Sequence, residues 1–104
     1  MMSKIEELIS KITKWHYDRN LIDGSTDAAQ WVKLKEECDE LAESIEFKES
    51  PIDDIGDIIV VLVNIAERNK LSIEDCLEHA YNDIKDRRGQ MVDGIFVKEK
   101  PCYE

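Results

Sequence analysis

Between Ser50 and Val63 the chain passes from a helix-starting signal, through two aspartates, into the unbroken apolar run Ile58-Ile59-Val60-Val61-Leu62-Val63. Ser50 reads as a helix cap with Pro51 at the first helical position, and Asp53 is placed to reciprocate the capping. A helix that starts there and runs to about residue 69 is apolar nearly all round, which makes it the central, most buried element. Yet Asp54 and Asp57 share one of its stripes, a turn apart, in line with Val61, Asn64 and Arg68. Carboxylates at the head of so apolar a helix must meet positive charge, or they face desolvation and mutual repulsion.

A second acid pair with the same spacing, Glu37 and Glu40, lies on the helix expected over residues 27–46. Its apolar seam reads Trp31, Leu34, Cys38, Leu41 and Ile45. Gln30, Lys33, Glu37, Glu40 and Ser44 form a stripe immediately beside that seam, while Glu36, Asp39 and Glu43 point further towards solvent. Residues 3–19 form a first helix, opened by a capping box of Ser3 and Glu6 and carrying Ile5, Leu8, Ile9, Ile12 and then Trp15 or His16 at helical spacing. Residues 20–26 are the clearest loop. Ser72 with Asp75 caps a fourth helix over residues 72–88, whose face is Ile73, Cys76, Leu77, Ala80, Tyr81 and Ile84. Gly89 is read as its terminator, with Arg87 and Arg88 in the last turn, where the helix dipole favours cations. The tail over residues 90–104 reads as extended or hairpin-like, with its one strand-like stretch at 91–98. The pattern predicts one domain over residues 1–104, an all-α, four-helix antiparallel bundle with a short C-terminal extended tail.

A formal net charge of −10 argues against a protein that embraces nucleic acid by its phosphates, though not against small phosphorylated substrates. The three cysteines, Cys38, Cys76 and Cys102, are widely spaced and show no zinc-ligand pattern, which fits a reducing compartment. The longest apolar run is far too short to span a bilayer and no signal peptide is visible, so the chain is expected to be cytoplasmic, with no membrane partner.

Glu37, Glu40, Asp54 and Asp57, drawn from two facing helices, make an all-oxygen donor set suited to Mg²⁺, with Mn²⁺ as a substitute. The Glu-x-x-His of a di-iron bundle, the calcium-loop pattern and the phosphate-binding GxxxxGK[ST] loop are all absent. The bland alternative is surface charge in a chain of which 37% is charged.

Lys35-Glu36-Glu37-Cys38-Asp39-Glu40-Leu41 resembles the EExxE motif, and Asp54-Ile55-Gly56-Asp57 the later ExxD motif, of the MazG-like all-α nucleoside triphosphate pyrophosphohydrolases. Gln30, the segment Asn82-Asp83-Ile84-Lys85-Asp86-Arg87-Arg88-Gly89, and the Gly94-Ile95-Phe96-Val97-Lys98 tail are also similar to that family, the tail especially to its short, stand-alone, phage-type members. Asp54 stands where the family usually has Glu, one methylene longer, and Lys85 has a slightly different spacing from many members.

The resemblance implies Mg²⁺-dependent hydrolysis of a standard or modified nucleoside triphosphate to the monophosphate and pyrophosphate. It implies metal ligation by Glu37, Glu40, Asp54 and Asp57, and a water oriented or deprotonated by Glu37 or Glu36. Lys85, Arg88 and Asn82 would reach the outer phosphates, and Gln30 and Lys33 would join the substrate-facing set. Trp15, His16 and Trp31 are candidates for a base slot, and Asn64 for a substrate hydrogen bond, although aromatic residues and amides at such positions also serve packing.

A third helix with apolar surface on all sides exceeds what three amphipathic partners cover, so a homodimer or homotetramer is expected. A non-catalytic acidic helical protein that binds a host or regulatory factor, or mimics nucleic acid, is the alternative from a different class. Base and sugar preference are not legible.

Overall fold

A computed structural model describes residues 1–99; Cys102 and the end of the expected tail lie outside the described residues. Four helices, α1 (Lys4–Asp18), α2 (Asp27–Glu46), α3 (Ile52–Arg68) and α4 (Ile73–Ile84), precede a hairpin of β1 (Gly89–Val92) and β2 (Ile95–Lys98). The chain divides into two compact units, Met1–Ile73 and Glu74–Glu104.

In the first unit α1 and α2 both pack on α3. Tyr17 donates to Glu67 at 2.8 Å and the His16 ring meets the Val60 carbonyl at 3.0 Å, so α1 runs in the same direction as α3. Arg68, at the end of α3, bonds Asp27, at the start of α2, at 2.9 Å; α2 is therefore antiparallel to α3. The apolar core is small, comprising Ile22, Val61, Val63 and Ala66.

Its centre is polar. Asn64 is fully buried and its amide donates to the Leu21 carbonyl at 3.0 Å and to His16 Nδ1 at 3.2 Å. That second bond makes Nδ1 the acceptor, which leaves Nε2–H to donate to Val60. One amide thus ties α1, the loop over residues 19–26 and α3 together. Arg68 closes the other side of the loop: its guanidinium donates to the Ile22 carbonyl and to Asp27, and Asn69 also donates to Asp27, at 3.1 Å. The Arg68 bond, followed by that from Asn69, holds the Asp27 carboxyl below its ordinary value.

Helix ends follow the local signals with two corrections. Ser3 and Glu6 form the expected reciprocal capping box. The helix after Ser50-Pro51 begins one residue late, with Pro51 itself at the cap and no side-chain capping bond; Ser50 Oγ accepts only a long 3.4 Å bond from Ile52. The fourth helix stops at Ile84, short of the expected 88, and Gly89 opens a strand instead of ending a helix. A Cβ at Gly89 would lie 2.2 Å from the Val97 carbonyl oxygen and 2.6 Å from the Phe96 ring, so the hairpin needs the bare backbone there. Asp93 and Gly94 turn the hairpin with φ of 52° and 80°, the both-positive combination of a type I′ turn.

Helices α1, α2 and α3 end alike. Asn20, Lys48 and Lys70 adopt left-handed φ of 56°, 55° and 58°. Bonds of 2.9 Å from Leu21 to His16, Glu49 to Ser44 and Leu71 to Ala66 close each end in a Schellman motif.

The seam of α2 is also corrected. Its inward residues are Gln30, Leu34, Glu37, Leu41 and Ser44, whereas Trp31, Cys38 and Ile45 are exposed. The packed face is rotated by about one residue from the apolar seam, and the stripe read as bordering the core supplies most of it. Helix α3 does hold most of the buried residues, but Ile52, Ile55, Ile59 and Leu62 remain exposed on it.

In the second unit every described residue is exposed, including Leu77, Tyr81 and Ile84 on α4. No helix among the described residues is long and apolar enough to cross a membrane.

Truncating Asn64 to alanine strands the Leu21 carbonyl and the His16 Nδ1. Urea denaturation is expected to show a loss of about 2 kcal/mol or more for Asn64→Ala. An unchanged midpoint would remove this amide from its place at the centre of the fold.

Candidate metal centre

The antiparallel pairing of α2 with α3 brings the middle of one against the head of the other, and with them the two acid pairs. Glu37, Glu40 and Asp57 each bring a ligand oxygen to within 4.8 Å of the others. Oxygens bound to Mg²⁺ at about 2.1 Å stand roughly 3–4 Å apart, so side-chain movements of about 1 Å convert this cluster into a ligand set. Asp54, the fourth sequence candidate, is buried and outside that trio, although its charge reaches both Glu40 and Asp57.

The three acids differ in environment. Glu40 and Asp57 are exposed, while Glu37 is only 6% exposed. One oxygen of Glu37, Oε1, meets the Lys33 ammonium at 3.1 Å; the other, Oε2, is buried without a hydrogen-bond partner. A half-satisfied buried carboxylate costs free energy that a cation would return. That orphaned oxygen, beside two more carboxylates, fits a hard divalent ion.

Proton affinities report the same crowding. The Glu40 carboxyl is raised by its hydrogen bond to Glu37, then by the Glu37 charge and by desolvation, with Lys33 opposing. Asp57 is raised by desolvation first and then by the charges of Glu37, Asp53 and Asp54. The Lys33 ammonium, 3.1 Å from Glu37, offsets part of this repulsion.

The remaining sequence candidates are distributed as follows. Glu36 is exposed beside Lys33, with 3.5 Å between ammonium and carboxylate. Trp15 is partly exposed and lines a cavity of about 440 Å³ between α1 and α3, together with Lys11, Ile12, Asp57 and Val60. Asp57 therefore belongs to both the carboxylate cluster and an apolar groove with an aromatic wall. Lys11, one helical turn before Trp15, was not singled out from sequence; its i,i+4 relation to the tryptophan was the available signal. The Arg19 guanidinium lies 4.2 Å from the Trp15 ring centre. His16, adjacent in sequence, points instead into the core, 3% exposed and with both ring nitrogens bonded to protein atoms. Asn64 is its partner there. Trp31 is exposed, with the Lys35 ammonium 5.8 Å from its ring centre, and half-buried Gln30 donates to Ser25 at 3.0 Å.

Asn82, Lys85 and Arg88 belong to the second unit and are exposed. Arg88 lines a cavity of about 720 Å³ within that unit, together with Lys98 and Phe96, while Arg87 pairs with Asp83 at 3.0 Å.

Raised carboxyls bind protons more tightly in the folded than in the unfolded chain, so they contribute most below their ordinary values and the contribution is lost as pH rises through the raised ones. In a chelating buffer the melting temperature is expected to fall as the pH rises over the interval just above the ordinary carboxyl values of 3.8 for Asp57 and 4.5 for Glu40. Asp27, with the opposite shift, acts only below its ordinary 3.8 and does not offset this. A melting temperature that climbs over that interval would contradict the crowding of Glu40 and Asp57.

No protein-family model matches the chain, and no solved structure matches it. A protein of Haemophilus phage HP1 (strain HP1c1), described as an uncharacterized 18.2 kDa protein in the rep-hol intergenic region, is 38% identical over 72 residues. The aligned part is 67% of this chain and 44% of the phage protein, so the chain spans less than half the length of that relative.

Proposed function

We propose that this chain is a Mg²⁺-dependent nucleoside triphosphate pyrophosphohydrolase, cleaving between the α- and β-phosphates to release a nucleoside monophosphate and pyrophosphate. The observation that carries the reading is the buried, unpartnered Oε2 of Glu37 beside Glu40 and Asp57. The likeness of both acid motifs to the MazG-like enzymes supports it, as does the opening of the Trp15 groove onto Asp57.

Glu37, Glu40 and Asp57 would hold the ion directly, and Asp54 would act from behind them through its charge. Mg²⁺, or Mn²⁺ in its place, supplies neutralisation of the triphosphate and a bound water of lowered pKa. Glu36 or Glu37 then orients or deprotonates the water that attacks the α-phosphorus, the phosphoanhydride bond breaks, and pyrophosphate departs with the electron pair. Trp15 offers a ring on which a base stacks without strong preference for its identity. Lys33 carries positive charge at the edge of the cluster. His16 and Asn64 serve the site from within, by fixing α1 against α3.

In this reading the fold is of the four-helix-bundle class, and the exposed α3 stripe is covered by a second copy in a cytoplasmic homodimer or homotetramer. The 3-4-3 spacing of Ile52, Ile55, Ile59 and Leu62, all exposed, is that of a helix-pairing seam. Sedimentation at micromolar concentration is expected to show a dimer or tetramer that Ile59→Glu dissociates. A wild-type monomer would exclude the assembly.

A second reading, a non-catalytic acidic helical protein, draws on the exposure of Glu40 and Asp57 and the net charge of −10. Incubation with the common ribo- and deoxyribonucleoside triphosphates and Mg²⁺ separates the two. Pyrophosphate release is expected, falling about 100-fold or more in Glu37→Gln while the circular dichroism spectrum is retained. No product from any triphosphate, with no effect of Mg²⁺ on melting, would favour the acidic binder.

A further inference from the structure

The ammonium of Lys33 lies between two carboxylates of unlike situation. It is 3.1 Å from Oε1 of Glu37, a side chain only 7% exposed, and 3.5 Å from Oε2 of Glu36, which is 62% exposed. Helix preference does not account for the inner contact, because a lysine one turn before a glutamate is the less favourable order. The stem is no anchor either, since the Lys33 side chain is itself 54% exposed. The contact is accounted for by the desolvated Glu37 charge, which has the Lys33 ammonium as its one paired cation among the described residues.

We propose that Lys33 is a resident counter-ion of the metal centre: it occupies Glu37 in the metal-free chain and moves out to Glu36 when a divalent cation binds Glu37, Glu40 and Asp57. The proposal rests on the metal-site reading given above and adds to it a competition within α2. A divalent ion on Oε2 and an ammonium on Oε1 would share one carboxylate, and a double and a single positive charge so placed repel strongly in a partly buried site. The same ion would draw off the negative charge that holds Lys33 inward. Glu36, on the solvent side and already within ion-pair range, gives the ammonium a second position that needs only rotation of a flexible four-carbon stem. The metal-free cluster is thereby kept from the full repulsion of its acids. Free ion binds more weakly than the carboxylates alone would allow, and a cation is delivered to the mouth of the site, where an anionic substrate would meet it.

The test is Lys33→Met, which keeps the apolar stem and removes the charge, in the full-length chain. Calorimetric titration with Mg²⁺, and with Mn²⁺ followed by its electron spin resonance, is expected to show roughly tenfold tighter binding than wild type. The metal-free variant is expected to melt lower and to gain more from Mg²⁺. Lysine side-chain NMR of the wild type is expected to show one ammonium signal shifting on Mg²⁺ addition, and that signal to be missing from the variant. Equal or weaker metal binding by Lys33→Met, alongside measurable binding by wild type that Glu37→Gln abolishes, would overturn the counter-ion role and leave the metal site standing. Absence of binding by wild type and variant alike would overturn both.

Discussion

Everything in the first unit hangs on an amide that has no access to water. Asn64 sits at the middle of α3 and satisfies the Leu21 carbonyl and His16 Nδ1 together. An apolar residue there would give the core more hydrophobic area but no register. Because Asn64 fixes α1 and the loop, and Arg68 fixes the start of α2 through Asp27, the three helices cannot slide along one another without breaking directional bonds. Among the described residues only four apolar ones are buried, so polar contacts of defined geometry carry an unusual share of the specificity.

That rigidity lets α2 present a carboxylate inward. Glu37 occupies a position in the packed face that an apolar residue would ordinarily take, and its cost is met in part by the Lys33 ammonium. In the proposed reading, a cation would be held there by relief of that burial cost as well as by attraction. The neighbouring Trp15 groove is apolar and joins the cluster at Asp57, so a ligand with a charged end and a flat uncharged end matches the surface in both respects.

Much of this was legible in the sequence, and the failures share one cause. The Ser3 capping box, the order of four helices, the loop over residues 20–26 and the hairpin-like tail rest on contacts between near neighbours in the chain, which local spacing records well. Apolar periodicity assigns Trp31, Cys38 and Ile45 to the inside, whereas the face of α2 that turns inward is set by its packing on α3, an element distant in sequence, for which periodicity has no measure. Gly89 was misread for the same reason, since its need for a bare backbone is set by Phe96 and Val97 across the hairpin. His16 and Trp15 were read as near equivalents, whereas α3 sorts them into a core residue and a groove wall. The acid trio comes from two stretches that sequence had already paired, but the burial of Asp54 behind it follows from how α3 is rotated, not from spacing.

The left-handed residues that end α1, α2 and α3 bear on how much steadiness the fold has left unused. Asn20, Lys48 and Lys70 hold a backbone conformation that costs an L-residue about 1–2 kcal/mol and costs glycine almost nothing. Helices of this kind commonly end on glycine, yet here none of the three does, and two of them carry a long, charged side chain at the turn. The chain thus keeps a reserve in its own corners: its architecture is compatible with a sturdier molecule than its present residues make, and the shortfall lies in turns remote from the carboxylate cluster.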